Sequence, residues 1–314
     1  MTWPAPDTPL KIGTRGSPLA LAQANETRDR LADAFGLPHE AFQVVVIKTT
    51  GDRIIDRPLK EIGGKGLFTR EIEEALTSGG IDIAVHSMKD MPTEQPAGLV
   101  LDTYLPREDP RDAFVSPDGG ALADLAQGRT VGTSSLRRRA QLLFRRPDLA
   151  VVEFRGNVQT RMRKLHDGVA DATFLALAGL NRLGAEEIPR RPIPAEEMLP
   201  AVAQGAIGIE RRGDDALTAE MLAAIHDTRT GELLAAERAY LARLDGSCET
   251  PIAGLAEIAG DRLRLRGEIL RPDGSEAHAG EVEGRVADGP DLGRRLAEEL
   301  LSRVDAHFFD WRTA

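Results

Sequence analysis

The stretch "TVGTSSLRRRAQLLFRRPDLAVVEFRGNVQTRMRKLHDG", residues 130–168, contains two short apolar runs, each followed by a longer run with helical spacing. The runs "TVG" and "LAVVEF" predict β-strands, and "SLRRRAQLLFRR" and "NVQTRMRKLHDG" predict helices. Strands that alternate with helices favour a mostly parallel sheet joined by crossover helices. This stretch therefore predicts an α/β fold.

The N-terminal third repeats this alternation. "SPLALAQANETRDRLADAF" predicts a helix that Ser17 caps and Pro18 begins, and "LFTREIEEALTSGG" predicts a second helix. The predicted strands are "LKIGT", "FQVVVIKT" (expected to be buried because of its β-branched run), "IDIAVHSM" and "LVLDTYLP". Two such series, separated near residues 105–112, predict two α/β domains of similar design.

The rest of the chain has a different pattern. "EEIPRRPIPAEEMLP" (186–200) is too rich in proline for a regular element, and "AIGIERR" (206–212) predicts a strand. From about residue 250, short strands split by "GD" and "PDG" turns predict an antiparallel meander, which a final helix closes. We therefore predict three domains, namely residues 1–105 with 206–224, residues 106–205, and an α+β domain over residues 225–314.

The composition excludes several classes of protein. Hydrophobic residues make up 41% of the 314 residues, which is enough for sizeable cores. A net charge of -10 and only 4% aromatic residues argue against a nucleic-acid partner. We see no secretory signal and no apolar run long enough for a membrane span, so we expect a cytoplasmic protein without a membrane partner. One cysteine excludes an internal disulfide, and six scattered histidines predict no metal site.

Arginine is concentrated where the rest of the chain is acidic. Residues 129–163 contain nine arginines against Asp148 and Glu153, a local charge of +7. Guanidinium groups bind carboxylates or phosphates through paired hydrogen bonds, so this cluster predicts a ligand with several acidic groups. The loops "GTRGSPLA" and "GTSSLRRR", with Arg155–Gly156–Asn157, favour an anion site at strand ends and helix N-termini. Helix capping with solvated surface arginines is the alternative.

Three further segments could carry chemistry. "AVHSMKDMP" places Asp90 just past an apolar strand, where it could stabilise a cation or exchange a proton; a helix cap or an ion pair is the alternative. "IGGKGLF" lacks the Walker pattern and predicts either a flexible loop over a ligand or a plain surface turn. Cys248, in the turn-rich "LDGSCETPIAG", is either an accessible thiol or a small buried hydrophobe.

Taken together, these segments resemble the porphobilinogen deaminase family. The resemblance covers about residues 10–255 in family order. It rests on "TRGSPLALAQA", "GGKGLFTREIE", "DIAVHSMKDMP", "REDPRDAFVS", "GTSSLRRRAQL", "RRPDL", "FRGNVQTRMRKL", "LALAGLNRLG", "LPAVAQGAIGIE" and "AERAYLARLDGSCETPI". It implies an α/β fold of two periplasmic-binding-protein-like domains with mostly parallel sheets, plus a small α+β C-terminal domain.

The resemblance also implies an activity. The family joins four porphobilinogen molecules stepwise onto a covalent dipyrromethane cofactor, releases ammonia, and makes the linear tetrapyrrole hydroxymethylbilane for porphyrin and haem biosynthesis. It implies that Cys248 carries the cofactor and that Asp90 is the catalytic carboxylate. The rival class, an anion-binding solute receptor, would need the arginines but neither Cys248 nor Asp90.

The resemblance implies the remaining site residues and a monomeric state. The residues expected to bind the cofactor are Lys89, Asp90, Thr133, Ser134, Ser135, Arg137, Arg138, Arg155 and Gly156, besides Cys248. Those expected to bind the substrate are Arg15, Ser17, Lys65, Ser87, Arg161 and Arg182. Gln204 falls on the family's hinge segment and Phe68 on its mobile loop. Glu61 stands where the family often has a second lysine, which puts one carboxylate contact in doubt.

Overall fold

The structure is a computed structural model that describes residues 3–53, 69–247, 250–305 and 307–312. The chain divides into two compact units. The first unit comprises Met1–Glu108 and Ala206–Gly231, and the second comprises Asp109–Gly205 and Glu232–Ala314. The predicted division of the second unit into two domains stays a prediction.

The first unit is built on a five-stranded mixed sheet. Its strands are β1 (Leu10–Thr14), β2 (Phe42–Val46), β3 (Ile83–Ser87), β4 (Leu99–Tyr104) and β10 (Ile207–Arg212). They lie in the order β2-β1-β3-β10-β4. β2 and β3 run parallel to β1, whereas β10, which enters after the chain has visited the second unit, is antiparallel to β3 and β4.

Helices of the first unit connect these strands. They are α1 (Pro18–Phe35), the short α2 (Thr50–Arg53), α3 (Arg70–Thr77) and α7 (Ala216–Ala223). α1 begins as predicted, since Ser17 Oγ accepts a hydrogen bond from the backbone of Ala20 and Pro18 opens the helix. It ends at Gly36, whose φ of 62° a side chain would disfavour. Ala24 and Leu31 of α1 pack on the sheet in one apolar cluster.

The second unit repeats this design. Its strands are β5 (Asp112–Val115), β6 (Thr130–Gly132), β7 (Ala150–Val152), β8 (Ala172–Ala176) and β9 (Arg191–Pro192), in the order β7-β6-β8-β5-β9. β7 and β8 are parallel to β6, and β5 is antiparallel to β8. The connecting helices are α4 (Leu136–Arg145), α5 (Val158–His166) and α6 (Leu177–Arg182). The prediction of two similar α/β units is confirmed. Each described sheet is mixed, with two parallel and two antiparallel pairs of neighbouring strands.

The C-terminal part forms a separate sheet within the second unit. β11 (Ile252–Ala259), β12 (Arg262–Leu270) and β13 (Ala277–Arg285) make the predicted antiparallel meander. The helix α9 (Gly289–Leu301) packs on this sheet and against α8 (Thr228–Arg243), which precedes β11. The predicted α+β architecture of this part is therefore confirmed.

Two details of the predicted strands are wrong. β2 is an edge strand, and Val46 at its end is half exposed, because a β-branched run signals strand but not whether both faces are covered. The proline-rich segment does contain a short strand, β9, which pairs with β5 at the sheet edge, where proline's missing N–H is tolerated. No helix in the described part of the chain is both long and apolar enough to cross a bilayer.

Candidate active site

Asp90 lies in a pocket at the edge of the first unit's sheet. The strands β1 and β3 end here, and α1 and α3 begin here. A short 3-10 turn, Met88–Asp90, follows β3 and carries Lys89 and Asp90. The pocket is lined by Arg15, Ser17, Leu19, Ala20, Gln23, Thr69, Val85, His86, Ser87, Asp90 and Met91. Four of the predicted residues, Arg15, Ser17, Ser87 and Asp90, are thus brought together, and a carboxylate lies beside a guanidinium and a helix N-terminus.

The polar wall of this pocket is tied to α1. The side chain of Gln23, one turn into α1, exchanges hydrogen bonds with Ser87 Oγ at 2.9 and 3.0 Å. Gln23 is buried, so this contact fixes the end of β3 against the helix. Because Lys89 and Asp90 lie in the short turn that begins at Met88, right after Ser87, the same contact limits the positions that they can take.

A buried acid–base pair involves His86, which precedes Ser87 on β3 and also lines the pocket. His86 Nε2 is 3.1 Å from Glu210 Oε2 on β10, and both side chains are buried. Glu73 of α3 lies near the same pair. Burial raises the pKa of the Glu73 carboxyl, a hydrogen bond with Thr69 partly opposes this, and the charge of Glu210 raises the pKa further. In the sequence, His86 is only one of six scattered histidines, because its partner Glu210 is far away along the chain.

The loop after β6 in the second unit uses its hydroxyl groups locally. Ser135 caps α4 by accepting a hydrogen bond from the backbone of Arg138, and Ser134 Oγ accepts one from the backbone of Phe154. Thr133 Oγ1 accepts a hydrogen bond from the backbone of Ser135. These bonds fix the conformation of the loop that joins β6 to the first turn of α4.

Arg137 and Arg138 share one buried carboxylate. Arg137 Nη1 donates to Asp112 Oδ2 at 2.7 Å, and Arg138 Nε and Nη2 donate to Oδ1 at 3.2 and 2.7 Å. Burial raises the pKa of Asp112, but the charges and hydrogen bonds of the two arginines outweigh burial and hold it well below its ordinary value. Gln204 Nε2 donates to the same carboxylate at 2.9 Å and to the backbone oxygen of Pro110 at 2.8 Å.

Arg155, Gly156 and Arg161 form a second basic group at the start of α5. Gly156 has a φ of 123°, and a Cβ there would lie 2.6 Å from Thr160, so only glycine fits. Arg161 Nε donates to the backbone oxygen of Gly156 at 2.9 Å. Burial lowers the pKa of Arg161 to about 10, and the charge of Arg138 lowers it in the same direction. A negatively charged ligand would therefore stabilise this guanidinium.

The structure corrects the charge count on which the anion-site prediction rests. Within the described part of the chain, at least five of the nine arginines in residues 129–163 form ion pairs. These pairs join Arg129 to Asp171, Arg137 and Arg138 to Asp112, Arg145 to Glu268, and Arg146 to Asp148. Four of the five pairs use an acid outside the arginine-rich stretch, which is why the local charge overstated the charge left for a ligand.

The other predicted residues are located only by their position along the chain. Arg182 ends α6, and Gln204 lies where the chain is about to return to the first unit. Lys65, Phe68, Glu61 and Cys248 lie outside the described residues. Asp112, which forms ion pairs with the predicted site residues Arg137 and Arg138, was not itself predicted. Its only local signal is an acid at the start of a short apolar run, "DAFV", which was not recognised as a strand.

The fold and these groups define an α/β protein. Its first unit carries the pocket of Asp90, and its second unit carries a guanidinium cluster that Asp112 partly neutralises. The family model described as porphobilinogen deaminase, dipyromethane cofactor binding domain, matches residues 10–220, and the model of the C-terminal domain of that family matches residues 232–302. The chain belongs to the porphobilinogen deaminase family.

The chain is also similar to individual relatives and solved structures. The porphobilinogen deaminase of Paracoccus denitrificans is 69% identical over 98% of each chain, and that of Nitrobacter winogradskyi is 55% identical over 95% of this chain and 94% of the relative. The periplasmic VFT2 domain of Bordetella pertussis BvgS is 16% identical, covers 69% of this chain and 86% of its own, and has a TM-score of 0.40. A probable amino-acid ABC transporter extracellular-binding protein of Bacillus subtilis is 13% identical, covers 68% and 88%, and has a TM-score of 0.41.

Proposed function

We propose that this chain is an enzyme with porphobilinogen deaminase activity, a transferase that joins four porphobilinogen molecules into the linear tetrapyrrole hydroxymethylbilane and releases ammonia at each addition. The observation that carries the proposal is the 69% identity to a porphobilinogen deaminase over 98% of both chains. The match of the cofactor-binding model to residues 10–220 supports it independently of any one relative.

Asp90 is the catalytic carboxylate of this proposal. When the aminomethyl group of porphobilinogen loses ammonia, the remaining pyrrole becomes a methylene-bearing cation. A carboxylate fixed at the end of β3 stabilises that cation, and a pocket that excludes water strengthens the attraction. Arg15 and Ser17 at the same pocket bind an acidic side group of the pyrrole. Ser87, held by Gln23, and Lys89 complete this set.

The second unit binds the other acidic groups. Each pyrrole carries an acetate and a propionate, so every addition brings two more negative charges. Arg155 and Arg161 bind such carboxylates directly, and Arg182 is a further candidate. The buried charge of Arg161 makes it the strongest of the three. Arg137 and Arg138 contribute the N–H groups that are not bonded to Asp112. Thr133, Ser134, Ser135 and the backbone of Gly156 contribute beside them.

The cofactor is a dipyrromethane that Cys248 holds through a thioether. Held there, the cofactor would supply the pyrrole carbon to which the first porphobilinogen is added. Lys65 belongs with the substrate-binding group. We place the protein in the cytoplasm as a monomer, with porphobilinogen as its partner, since this chemistry calls for no membrane and no nucleic acid.

The experiment is intact-protein mass measurement combined with turnover. Purified protein is expected to be heavier than its sequence by two linked pyrroles, and digestion should place the excess on the peptide that contains Cys248. Incubation with porphobilinogen should yield uroporphyrin after acid and oxidation. The Cys248→Ser variant should lack both the extra mass and the activity. Active protein with the bare sequence mass would refute the covalent cofactor, and binding of porphobilinogen without consumption would favour a solute receptor.

A further inference from the structure

The pocket that holds Asp90 has a second titratable side chain in its wall. His86 lines the same pocket, although its side chain is almost fully buried. It is the residue before the last in β3, four residues before Asp90, and it pairs with Gly208 of β10. It is the one histidine among the residues that line this pocket in the described part of the chain. The wall of the pocket therefore includes a histidine besides the carboxylate of Asp90.

Glu210 sets the tautomer of this imidazole. Its carboxylate accepts a hydrogen bond from His86, so the hydrogen resides on Nε2 and the lone pair of the neutral ring resides on Nδ1. Within the described residues, no hydrogen bond to Nδ1 is formed, and Glu210 Oε1 has no partner either. Glu210 is completely buried, so its charge acts on His86 with little screening. The arrangement orients an imidazole as a proton acceptor.

The reaction needs such an acceptor. In each addition the carbon–nitrogen bond breaks and its electron pair leaves with ammonia. A carbon–carbon bond then forms when a ring carbon of the growing chain donates an electron pair to the methylene of the cation. That ring carbon must then lose its proton, which returns the carbon–hydrogen electron pair to the ring. If Asp90 kept that proton, it would lose the charge that stabilises the next cation. Imidazole is the side chain whose proton exchange lies nearest neutral pH, and ammonia can carry the proton away as ammonium.

We propose that His86, oriented by Glu210, accepts the proton that the pyrrole carbon loses in each addition and passes it to the departing ammonia, so that Asp90 stays charged. This inference rests on the proposed function. His86 is then a catalytic residue and Glu210 a positioning residue. The charged groups near His86 are Glu210 on β10 and Glu73 on α3. Asp90 and Arg15 line the same pocket.

The test is the pH dependence of kcat in His86→Gln. Glutamine can still donate to Glu210 but cannot accept and release a proton. We expect the variant to keep its two-pyrrole mass, to keep KM within about threefold and to lose about 100-fold in kcat, and we expect its kcat to depend less steeply on pH than that of the wild-type enzyme. His166→Gln, on the exposed end of α5, is the matched control and should keep the wild-type profile.

Glu210→Gln provides a second readout. It keeps the shape of the side chain but no longer holds His86 in one tautomer, so we expect about a tenfold loss of kcat and a pH profile of kcat that differs from that of the wild-type enzyme. Should His86→Gln fail to fold, this variant decides alone. A wild-type kcat and pH profile in whichever variant is folded would overturn the inference. Wild-type protein that does not consume porphobilinogen would instead refute the proposed function.

Discussion

Arg137 and Asp112 are joined by a 2.7 Å hydrogen bond between two side chains that solvent scarcely reaches. Arg137 Nη1 also donates to Gln141 Oε1 at 3.0 Å, and Gln141 Nε2 donates to Glu268 Oε2 at 2.7 Å. The polar chain therefore runs from β5, through α4, to β12 of the C-terminal sheet. It gives α4 a structural role in addition to any role in binding, and it connects parts of the second unit that are far apart in sequence.

Asp112→Asn tests this structural role. The variant leaves two buried guanidinium groups without their shared charge, and breaking a buried pair in this way costs about 3–5 kcal/mol of unfolding free energy. Urea denaturation measures the loss. Glu298→Gln removes an exposed ion pair with Arg243 and should cost no more than about 1 kcal/mol. Equal losses in the two variants would show that Asp112 contributes no more than a surface acid.

The low pKa of Asp112 predicts an acid-sensitive stability. The carboxyl stays charged in the folded protein but takes up a proton in the unfolded chain near its ordinary pKa of about 3.9. Its contribution is therefore complete above that pH and is lost as the pH falls toward the folded pKa, by at most about 1.4 kcal/mol per pH unit. Denaturation below pH about 4 should show a steeper decline in the wild-type protein than in Asp112→Asn. Parallel declines would contradict the assignment.

Asp90→Ala tests the catalytic carboxylate. Without its charge the methylene cation loses its stabilising partner, and we expect turnover of porphobilinogen to fall by at least about 100-fold. The mass excess on Cys248 should remain, which separates a catalytic effect from a failure to fold or to load the cofactor. Asp118→Ala, in a surface loop of the second unit, should keep normal rates. A normal rate in Asp90→Ala would remove this residue from the mechanism.

Two glycines of α9 offer a matched pair for stability. A Cβ on Gly293 would lie 2.3 Å from the backbone oxygen of Ala236 in α8, and backbone cannot move aside as a flexible side chain can. We expect Gly293→Ala to cost about 1–3 kcal/mol or more. A Cβ on Gly289 meets its nearest neighbour at 3.4 Å, so Gly289→Ala should be neutral or slightly stabilising. Thermal unfolding of both variants decides, and a stable Gly293→Ala would show that α8 and α9 can separate freely.

Much of the fold could be predicted because its signals are local. The cap at Ser17, the proline at the start of α1 and the turns of the C-terminal meander each depend on a few adjacent residues. The clustering of Arg15, Ser17, Ser87 and Asp90 also follows from strand order, since neighbouring parallel strands end at the same sheet edge. β5 escaped prediction because four residues give too little periodicity to separate a strand from a loop.

By itself, then, the sequence determined the alternation of strands and helices, the capping residues and the family, all of which are written in short consecutive patterns. Only the tertiary structure decided which charges are matched and which await a ligand. Asp112 meets Arg137 across 25 residues, Glu268 meets Gln141 across 127, and Glu210 meets His86 across 124. A charge is paired or unpaired according to its distance from other charges in space, and no count along the chain measures that distance.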